Sequence, residues 1–128
     1  MSSLILIVED NPRNLKLVRD LLEHHGYLTL AAATGEEAID LARAHRPHLV
    51  LMDVQLPGMD GVAALTRMRA DPATAGLRIV AVTAFAMKHD RDRFLAWGFD
   101  GYIEKPISVR DFPGQIAALV ADREGAQG

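Results

Sequence analysis

The sequence contains no cysteine, few aromatic residues (5%) and no surplus of positive charge. Without cysteine the chain cannot form a disulfide or a thiolate metal site, which permits a reducing compartment. A net charge of −3 leaves no basic footprint for nucleic acid, and the scattered basic residues, Arg69 among them, are predicted on solvated helix faces. No apolar run approaches the roughly 18 residues of a membrane span. We predict a cytoplasmic protein that binds neither nucleic acid nor membrane.

The first residues also lack the features of a signal peptide. Residues 1–3 carry no cationic side chain, and the apolar run that follows ends early, at Glu9 and Asp10. A chain of 128 residues with 49% apolar content indicates one globular domain, which buries roughly two-thirds of its unfolded surface. We expect this domain to cover residues 1–123 and residues 124–128 to form a frayed tail.

Short apolar runs that end in polar residues predict buried strands. The central run is Leu49-Val50-Leu51-Met52-Asp53, which lies between Pro47-His48 and a predicted turn at Pro57-Gly58. Continuous apolar runs of this length are typical of strands that are buried on both faces of a parallel sheet. The other predicted strands cover residues 4–8, 27–32 (at a sheet edge), 77 or 78 to 83, and 101–104.

A helix is predicted after each strand. The predicted starts are Asn11-Pro12, Thr34, Asp60, Met87 and either Ser108 or Asp111. Asn, Thr and Asp are favoured N-caps, and Thr34 also opens a Thr-x-x-Glu capping box. A start at Asp111 would place Pro113 in the first turn, where proline breaks no helical hydrogen bond. The five alternations predict a (βα)5 α/β fold, with a parallel sheet between two layers of helices.

Polar residues stand where four of the predicted strands end, namely Glu9, Asp10, Asp53, Thr83 and Lys105. Because the carboxyl ends of parallel strands share one edge of the sheet, we expect these side chains to meet there. Three neighbouring carboxylates raise one another's pKa, a conflict that a hard divalent cation would remove. Lys105 and Thr83 could then contact phosphoryl oxygens. Taken singly, each residue also fits a turn, a helix cap or a solvated lysine, so the prediction depends on their joint occurrence.

Four motifs carry a family resemblance: Val8-Glu9-Asp10-Asn11, residues 51–61 (LMDVQLPGMDG), Val82-Thr83-Ala84 and Lys105-Pro106. Together they resemble the receiver domain of two-component response regulators, over residues 4–123. The resemblance implies a flavodoxin-like fold with strand order 2-1-3-4-5. Residues 82–88 and 105–108 further resemble the DivK-like, single-domain regulators of the cell cycle.

The resemblance also implies the chemistry of the site. Asp53 is the expected phosphoacceptor, which takes a phosphoryl group from a histidine of a sensor histidine kinase or a histidine phosphotransfer protein. Mg²⁺ (or Mn²⁺) is expected on Asp10, Asp53 and the backbone carbonyl of Gln55, with Glu9 acting through a water. Lys105 is expected to offset charge on the phosphoryl oxygens. The chain would catalyse only its own phosphorylation and dephosphorylation, and is in this sense not an enzyme.

Further residues are assigned to switching by the same resemblance. Thr83 is the expected switch hydroxyl and Tyr102 the switch aromatic, while the Lys105–Pro106 peptide bond is expected to be cis. Gln55 and Phe85 flank the route of the attacking water, and the bulk of Phe85 predicts slow self-dephosphorylation.

The expected output is a protein contact, since no further domain is expected after residue 123. The face formed by the fourth helix, fifth strand and fifth helix would bind the downstream protein, and the chain is expected to be a monomer or a weak homodimer. Pro113-Gly114 departs from the smoother last helix of the family, which puts dimerisation through this face in doubt.

Two other functions use similar features. A haloacid-type phosphohydrolase also has an aspartate at a strand end, but it needs a second acid two residues later, where this chain has Gln55. A flavodoxin-like nucleotide binder needs a phosphate-binding loop after the first strand. Here Glu9-Asp10-Asn11-Pro12 would repel phosphate in the absence of a metal. The phosphohydrolase is kept as the alternative function.

Overall fold

The computed structural model describes residues 3–55, 60–84 and 88–127. Strands and helices alternate along these residues. The strands are β1 (Leu4–Val8), β2 (Leu28–Ala32), β3 (Leu49–Asp53), β4 (Ile79–Thr83) and β5 (Gly101–Glu104). The helices are α1 (Pro12–His24), α2 (Gly35–His45), α3 (Gly61–Ala70), α4 (Lys88–Trp97) and α5 (Phe112–Gln127). The side chains of residues 88–91 and 122–127, the predicted turn at Pro57-Gly58 and the predicted helix start at Met87 lie outside the described part.

The five strands form one parallel sheet in the order β2-β1-β3-β4-β5, which confirms the predicted topology. β3 and β4 are buried along their whole length, whereas β2 lies at the edge and exposes Leu28. In the register, Val8 pairs with Met52 and Asp53 pairs with Val82. The carboxyl ends of β1, β3 and β4 therefore lie side by side, so the residues that follow them share one edge.

The hydrophobic core consists of one cluster on each face of the sheet. Alternate strand residues point to opposite faces, as the pleat of a strand requires. Ala42 of α2, Leu65 and Met68 of α3 and Phe94 of α4 belong to the cluster on one face. Val18 and Leu22 of α1, together with Phe112 and Ile116 of α5, belong to the other cluster. The helices thus cover both faces, as the alternation of elements predicted.

Side-chain caps begin the first three helices where the sequence predicted them. Asn11 Oδ1 accepts hydrogen bonds from the backbone N–H groups of the first turn of α1. Asp60 Oδ1 likewise accepts one in α3, at 2.8 Å. Thr34 Oγ1 accepts the N–H of Glu37, whose carboxylate in turn accepts the N–H of Ala33 at 2.6 Å. The returning bond of this capping box therefore reaches one residue further back than the usual motif.

Two strands begin later than the sequence predicted. β2 begins at Leu28, because the N–H of Tyr27 donates to the carbonyl of Leu22 and so closes the end of α1. β4 begins at Ile79, because the N–H of Leu77 donates to the carbonyl of Thr74 within the preceding turn. Local turn hydrogen bonds thus replace ladder bonds at both positions.

The last helix begins at Phe112 and has Pro113 in its first turn, as the prediction of a start at Asp111 required. Ser108 instead begins a preceding turn: its carbonyl accepts the N–H of Phe112 at 2.8 Å, and its hydroxyl accepts the N–H of Asp111. α5 continues to Gln127, so the boundary expected at residue 124 does not coincide with a helix end. Among the described residues, no helix is long and apolar enough to cross a membrane.

Gly61 allows the start of α3 to approach the end of β3 closely. Its N–H donates to the carbonyl of Val54 at 3.0 Å, and a Cβ atom at Gly61 would collide with the backbone of Asp53 and lie 2.8 Å from Val54 Cα. Because backbone atoms cannot rotate away, Gly61→Ala is expected to lower the free energy of unfolding by about 2 kcal/mol, the cost typical of overpacking. Urea unfolding monitored by circular dichroism measures this change.

Gly114 of α5 provides the matched control. A Cβ atom there meets no other atom within 4 Å. Gly114→Ala is therefore expected to raise the free energy of unfolding by up to about 1 kcal/mol, since alanine is the better helix former. Equal stability of the Gly61→Ala variant and the wild type would contradict the proposed collision.

Candidate functional site

Three carboxylates converge at the carboxyl edge of the sheet. Asp53 ends β3, while Glu9 and Asp10 follow β1. One oxygen of each of these side chains lies within 4.8 Å of the others. Glu9 and Asp53 are each only 6% exposed, whereas Asp10 is exposed to solvent. The two buried acids and the exposed acid thus form one cluster that solvent reaches from the side of Asp10.

Lys105 places a positive charge against two of these carboxylates. Its Nζ lies 2.9 Å from Asp53 Oδ2 and 3.2 Å from Glu9 Oε1. The backbone N–H of Lys105 donates to the carbonyl of Thr83 at 2.8 Å, and this bond attaches the segment after β5 to the end of β4. The peptide bond between Lys105 and Pro106 is cis, the isomer that the resemblance implied.

The carboxylate of Asp53 is held through both of its oxygens. Oδ2 faces Lys105, and Oδ1 accepts the backbone N–H of Gln55 at 3.0 Å. The chain therefore turns back over Asp53 immediately after β3, which brings the backbone of Gln55 next to the acidic cluster. A carboxylate that is restrained in this way presents its oxygens in a fixed orientation.

The pKa of Glu9 is raised from 4.5 to about 7, and burial is the largest cause. A hydrogen bond to Asp53 and the negative charge of Asp53 contribute to this rise in the pKa, while a hydrogen bond from Asn14 and the positive charge of Lys105 oppose it. Burial alone would lower the pKa of Lys105, but its hydrogen bond and charge interaction with Asp53, together with Glu9, raise it above the ordinary value. Lys105 thus stays protonated at neutral pH. Glu9 is most stable beside the negative charge of Asp53 when Glu9 itself is protonated.

This shift predicts a pH dependence of stability for the metal-free protein. The folded state binds the proton of Glu9 more tightly than the unfolded state does, so the associated stabilisation is complete below pH 4.5 and is lost as the pH rises through about 7. Glu9→Gln removes this titration. Relative to the wild type, the variant is expected to gain about 1 to 3 kcal/mol in the free energy of unfolding between pH 4.5 and pH 8.

Urea unfolding of both proteins in the presence of a metal chelator, at half-unit intervals of pH, measures this difference. Asp20→Asn, which alters an exposed acid of α1, is the control and should leave the pH profile of the wild type unchanged. A stability difference between Glu9→Gln and the wild type that stays constant over the whole pH range would contradict the prediction.

The predicted switch residues lie on the two strands beyond β3. Thr83 is the last residue of β4, is 3% exposed and pairs in register with Glu104 of β5. Tyr102 of β5 is half-buried and packs against the core cluster that contains Phe94 of α4. Ala84 follows Thr83 and is exposed, whereas Phe85 lies outside the described residues. Thr83 therefore stands at the same edge as Asp53, one strand away.

The donor set of the cluster fits a hard divalent cation. All three side chains offer carboxylate oxygens, the ligands that Mg²⁺ and Mn²⁺ prefer. Among the described atoms, Glu9 Oε2 is buried and has no hydrogen-bond partner. Such an orphaned acceptor is costly unless a water, an ion or a proton satisfies it. The acidic cluster is thus compatible with a magnesium site.

The sequence analysis did not single out Asn14, whose hydrogen bond to Glu9 lowers the pKa of that acid. Asn14 lies one helical turn after the cap at Asn11, and this spacing from the acidic pair could have indicated it. The sequence also did not predict that Leu17, Val18, Ile107 and Phe112 line an apolar cavity beside Asp53, because these residues come from separate parts of the chain.

Comparison with known proteins identifies the family. The family model of the response regulator receiver domain matches residues 5–117. The polar-differentiation response regulator DivK of Brucella anthropi is 46% identical over 122 residues, which cover 95% of this chain and 99% of that protein. DivK of Brucella ovis is 45% identical over the same lengths.

Solved structures agree with this match. The receiver domain of a sensor histidine kinase from Pseudomonas aeruginosa PAO1, which holds a magnesium ion in its active site cleft, is 31% identical with a TM-score of 0.84; the match covers 94% of this chain and 99% of that one. A CheY-like receiver domain protein from Methanospirillum hungatei JF-1 is 30% identical with a TM-score of 0.86 and covers 98% and 99%.

These matches do not support the phosphohydrolase alternative. They assign a phosphoacceptor role in signalling, which implies interaction with kinases or phosphotransfer proteins. The chain belongs to the response regulator receiver domain family and is homologous to the DivK response regulators.

Proposed function

We propose that Asp53 is the phosphoacceptor and that it receives the phosphoryl group from a histidine of a sensor histidine kinase or a histidine phosphotransfer protein. A carboxylate oxygen of Asp53 would form the bond to phosphorus while the bond from phosphorus to the histidine nitrogen breaks. The observation that carries the proposal is the position of Asp53, whose Oδ2 lies 2.9 Å from Lys105 Nζ inside a cluster of three acids. The buried carboxylate is held for attack, and the ammonium is ready to contact a phosphoryl oxygen.

Asp10, Asp53 and the backbone carbonyl of Gln55 would hold Mg²⁺ (or Mn²⁺), with Glu9 acting through a water. The convergence of carboxylate oxygens and the unpartnered Glu9 Oε2 support this assignment, as does the magnesium ion in the related Pseudomonas receiver domain. A bound Mg²⁺ supplies positive charge that offsets the charge of the phosphoryl oxygens. Lys105 supplies a second positive charge from the side of β5.

Thr83 and Tyr102 would transmit the phosphorylation. A phosphoryl group adds about −1.5 to −2 charges at Asp53, and this charge can only favour one of two accessible arrangements of the neighbouring residues. The buried hydroxyl of Thr83 at the same edge, and the half-buried ring of Tyr102 on the next strand, support this route. The face formed by α4, β5 and α5 would then bind the downstream protein.

Exposed apolar side chains on α4 support this output face. Leu95 and Trp97 are 43% and 42% exposed, and exposed aromatic residues often anchor protein contacts.

We also propose that the protein is cytoplasmic and that it is a monomer or a weak homodimer. Cell fractionation tests the location, and sedimentation of the unmodified and phosphorylated protein tests the oligomeric state.

The phosphoacceptor proposal is tested by intact-mass spectrometry. Incubation with Mg²⁺ and acetyl phosphate is expected to add the mass of one phosphoryl group, and excess chelator should prevent this gain. Fragmentation of the modified protein should place the added mass on the peptide that contains Asp53. Addition of the mass in the presence of chelator would contradict the metal requirement, and mass on another peptide would contradict the assignment of Asp53.

The lifetime of the phosphorylated form provides a separate prediction. The bulk of Phe85, with Gln55, is proposed to restrict the route of the water that attacks the phosphoryl group. Phe85→Ala is therefore expected to accelerate the loss of the phosphoryl group several-fold, measured as the decay of the added mass after the donor is removed. Equal decay in Phe85→Ala and the wild type would refute this role.

A further inference from the structure

A cavity of about 310 Å³ lies beside the cluster of acids, between α1 and the segment that leads into α5. Glu9, Asp53 and Lys105 line its polar end. Most of its remaining wall is apolar and includes Leu17 and Val18 of α1 together with Ile107 and Phe112. The reacting carboxylate thus borders a hydrophobic space that the phosphoryl-transfer residues do not fill.

The two ends of the cavity differ in the chemistry that they favour. The ammonium of Lys105 and the proposed metal attract the oxygens of a phosphoryl group, whereas the leucine, valine, isoleucine and phenylalanine side chains favour an uncharged carbon chain. The volume is about ten times the share of one molecule in liquid water. It therefore leaves room for several carbon atoms beyond a phosphoryl group. A phosphate joined to a short apolar chain matches both ends.

We propose that this cavity is an acyl subsite, which binds the carbon chain of an acyl phosphate while Asp53 takes the phosphoryl group. The inference rests on the proposed role of Asp53 as the phosphoacceptor. In the reaction, a carboxylate oxygen of Asp53 forms the bond to phosphorus, and the bond from phosphorus to the acyl oxygen breaks. The acyl group leaves as a carboxylate with the electron pair, so that no proton and no further reactant is required.

The solvent-accessible apolar wall of the cavity accounts for the expected preference for acyl phosphates with a longer carbon chain. Leu17 is 38% exposed and Ile107 is half-buried, so a bound chain would cover apolar surface that water now contacts. Each fully buried methylene group favours binding by a factor of about four. Butyryl phosphate has two more methylene groups than acetyl phosphate, and partial burial of both gives an expected advantage of about fourfold in the second-order rate constant.

The test compares the rates of phosphorylation by acetyl and butyryl phosphate at equal Mg²⁺ and at donor concentrations below saturation. The two leaving carboxylates have nearly the same basicity, so intrinsic reactivity contributes little to the ratio. Intact mass follows the reaction, with Asp53→Asn as the background. A butyryl-to-acetyl ratio of about four or more is expected, and a ratio of one or less would overturn the acyl subsite while the proposed function stands. Failure of both donors would instead overturn the proposed function.

Two serine variants locate the subsite. Leu17→Ser makes the cavity wall polar, and it is expected to reduce the butyryl-to-acetyl ratio to about one. Leu28→Ser makes the same change at an exposed position of the edge strand β2, away from the cavity, and it should keep the ratio of the wild type. If Leu17→Ser keeps the butyryl-to-acetyl ratio of the wild type, or if the ratio falls equally in both variants, the donor's carbon chain does not bind in this cavity.

Discussion

Asp53→Asn is expected to abolish the gain of a phosphoryl group from acetyl phosphate in Mg²⁺. Asparagine keeps the size of the side chain but replaces the nucleophilic carboxylate with a neutral amide. It also removes the charge that Lys105 Nζ contacts at 2.9 Å. Intact-mass spectrometry at a time when the wild type is fully modified measures the effect, and no modified variant should be detected.

Asp20→Asn is the matched control. Asp20 is an exposed acid of α1 that pairs with Lys16 at 2.8 Å, and exposed pairs of this kind contribute little to stability. This variant should gain the phosphoryl group at the rate of the wild type. Full modification of Asp53→Asn, in a protein that unfolds as cooperatively as the wild type, would show that another residue accepts the group.

Lys105→Met has the second-largest expected effect. Methionine keeps the length and the apolar stem of the side chain, but it removes the only positive charge that the described residues place within 4 Å of Asp53 or Glu9. Its contacts with these acids raise the pKa of Lys105, so the charge is present throughout the neutral range. Loss of a comparable preorganised charge or donor typically slows a reaction about 10²- to 10³-fold, and we expect a loss of this size.

The initial rate of mass gain at saturating Mg²⁺ measures the effect of Lys105→Met. Lys16→Met makes the same substitution at a lysine whose side chain is 77% exposed, and it should retain the rate of the wild type. A rate for Lys105→Met within a few-fold of the wild type would show that Lys105 only neutralises the acids of the folded protein and does not act on the phosphoryl group.

The residues of the candidate site were predictable because each has a local sequence signal. Asp53 ends a continuous apolar run, and Glu9-Asp10 ends another, so the strand pattern alone places them at the same edge. The register of β1, β3 and β4 then brings their carboxylates together, and the acidic cluster agrees with this prediction. The roles assigned to these residues came from the family resemblance and remain proposals for experiment.

Arg69 shows where local patterns fail. From the sequence it was predicted on a solvated helix face, but its guanidinium donates to the carbonyls of Ala75, Leu77 and Gly98. It also pairs with Asp100 at 2.8 Å. These partners lie 6 to 31 residues away along the chain. No periodicity reports such contacts, because they join the end of α3 to the segment before β4 and to the segment between α4 and β5.

The chain by itself determined the order of its elements, because apolar runs, caps and glycines act over a few neighbouring residues. It also determined which acids and which lysine reach the functional edge. Only the tertiary structure decided how deeply Glu9 is buried, which carboxylates Lys105 contacts and that an apolar cavity opens beside Asp53. Burial, electrostatic coupling and cavity shape depend on distances between residues that are far apart in sequence, and only the packing of both helical layers on the sheet sets those distances.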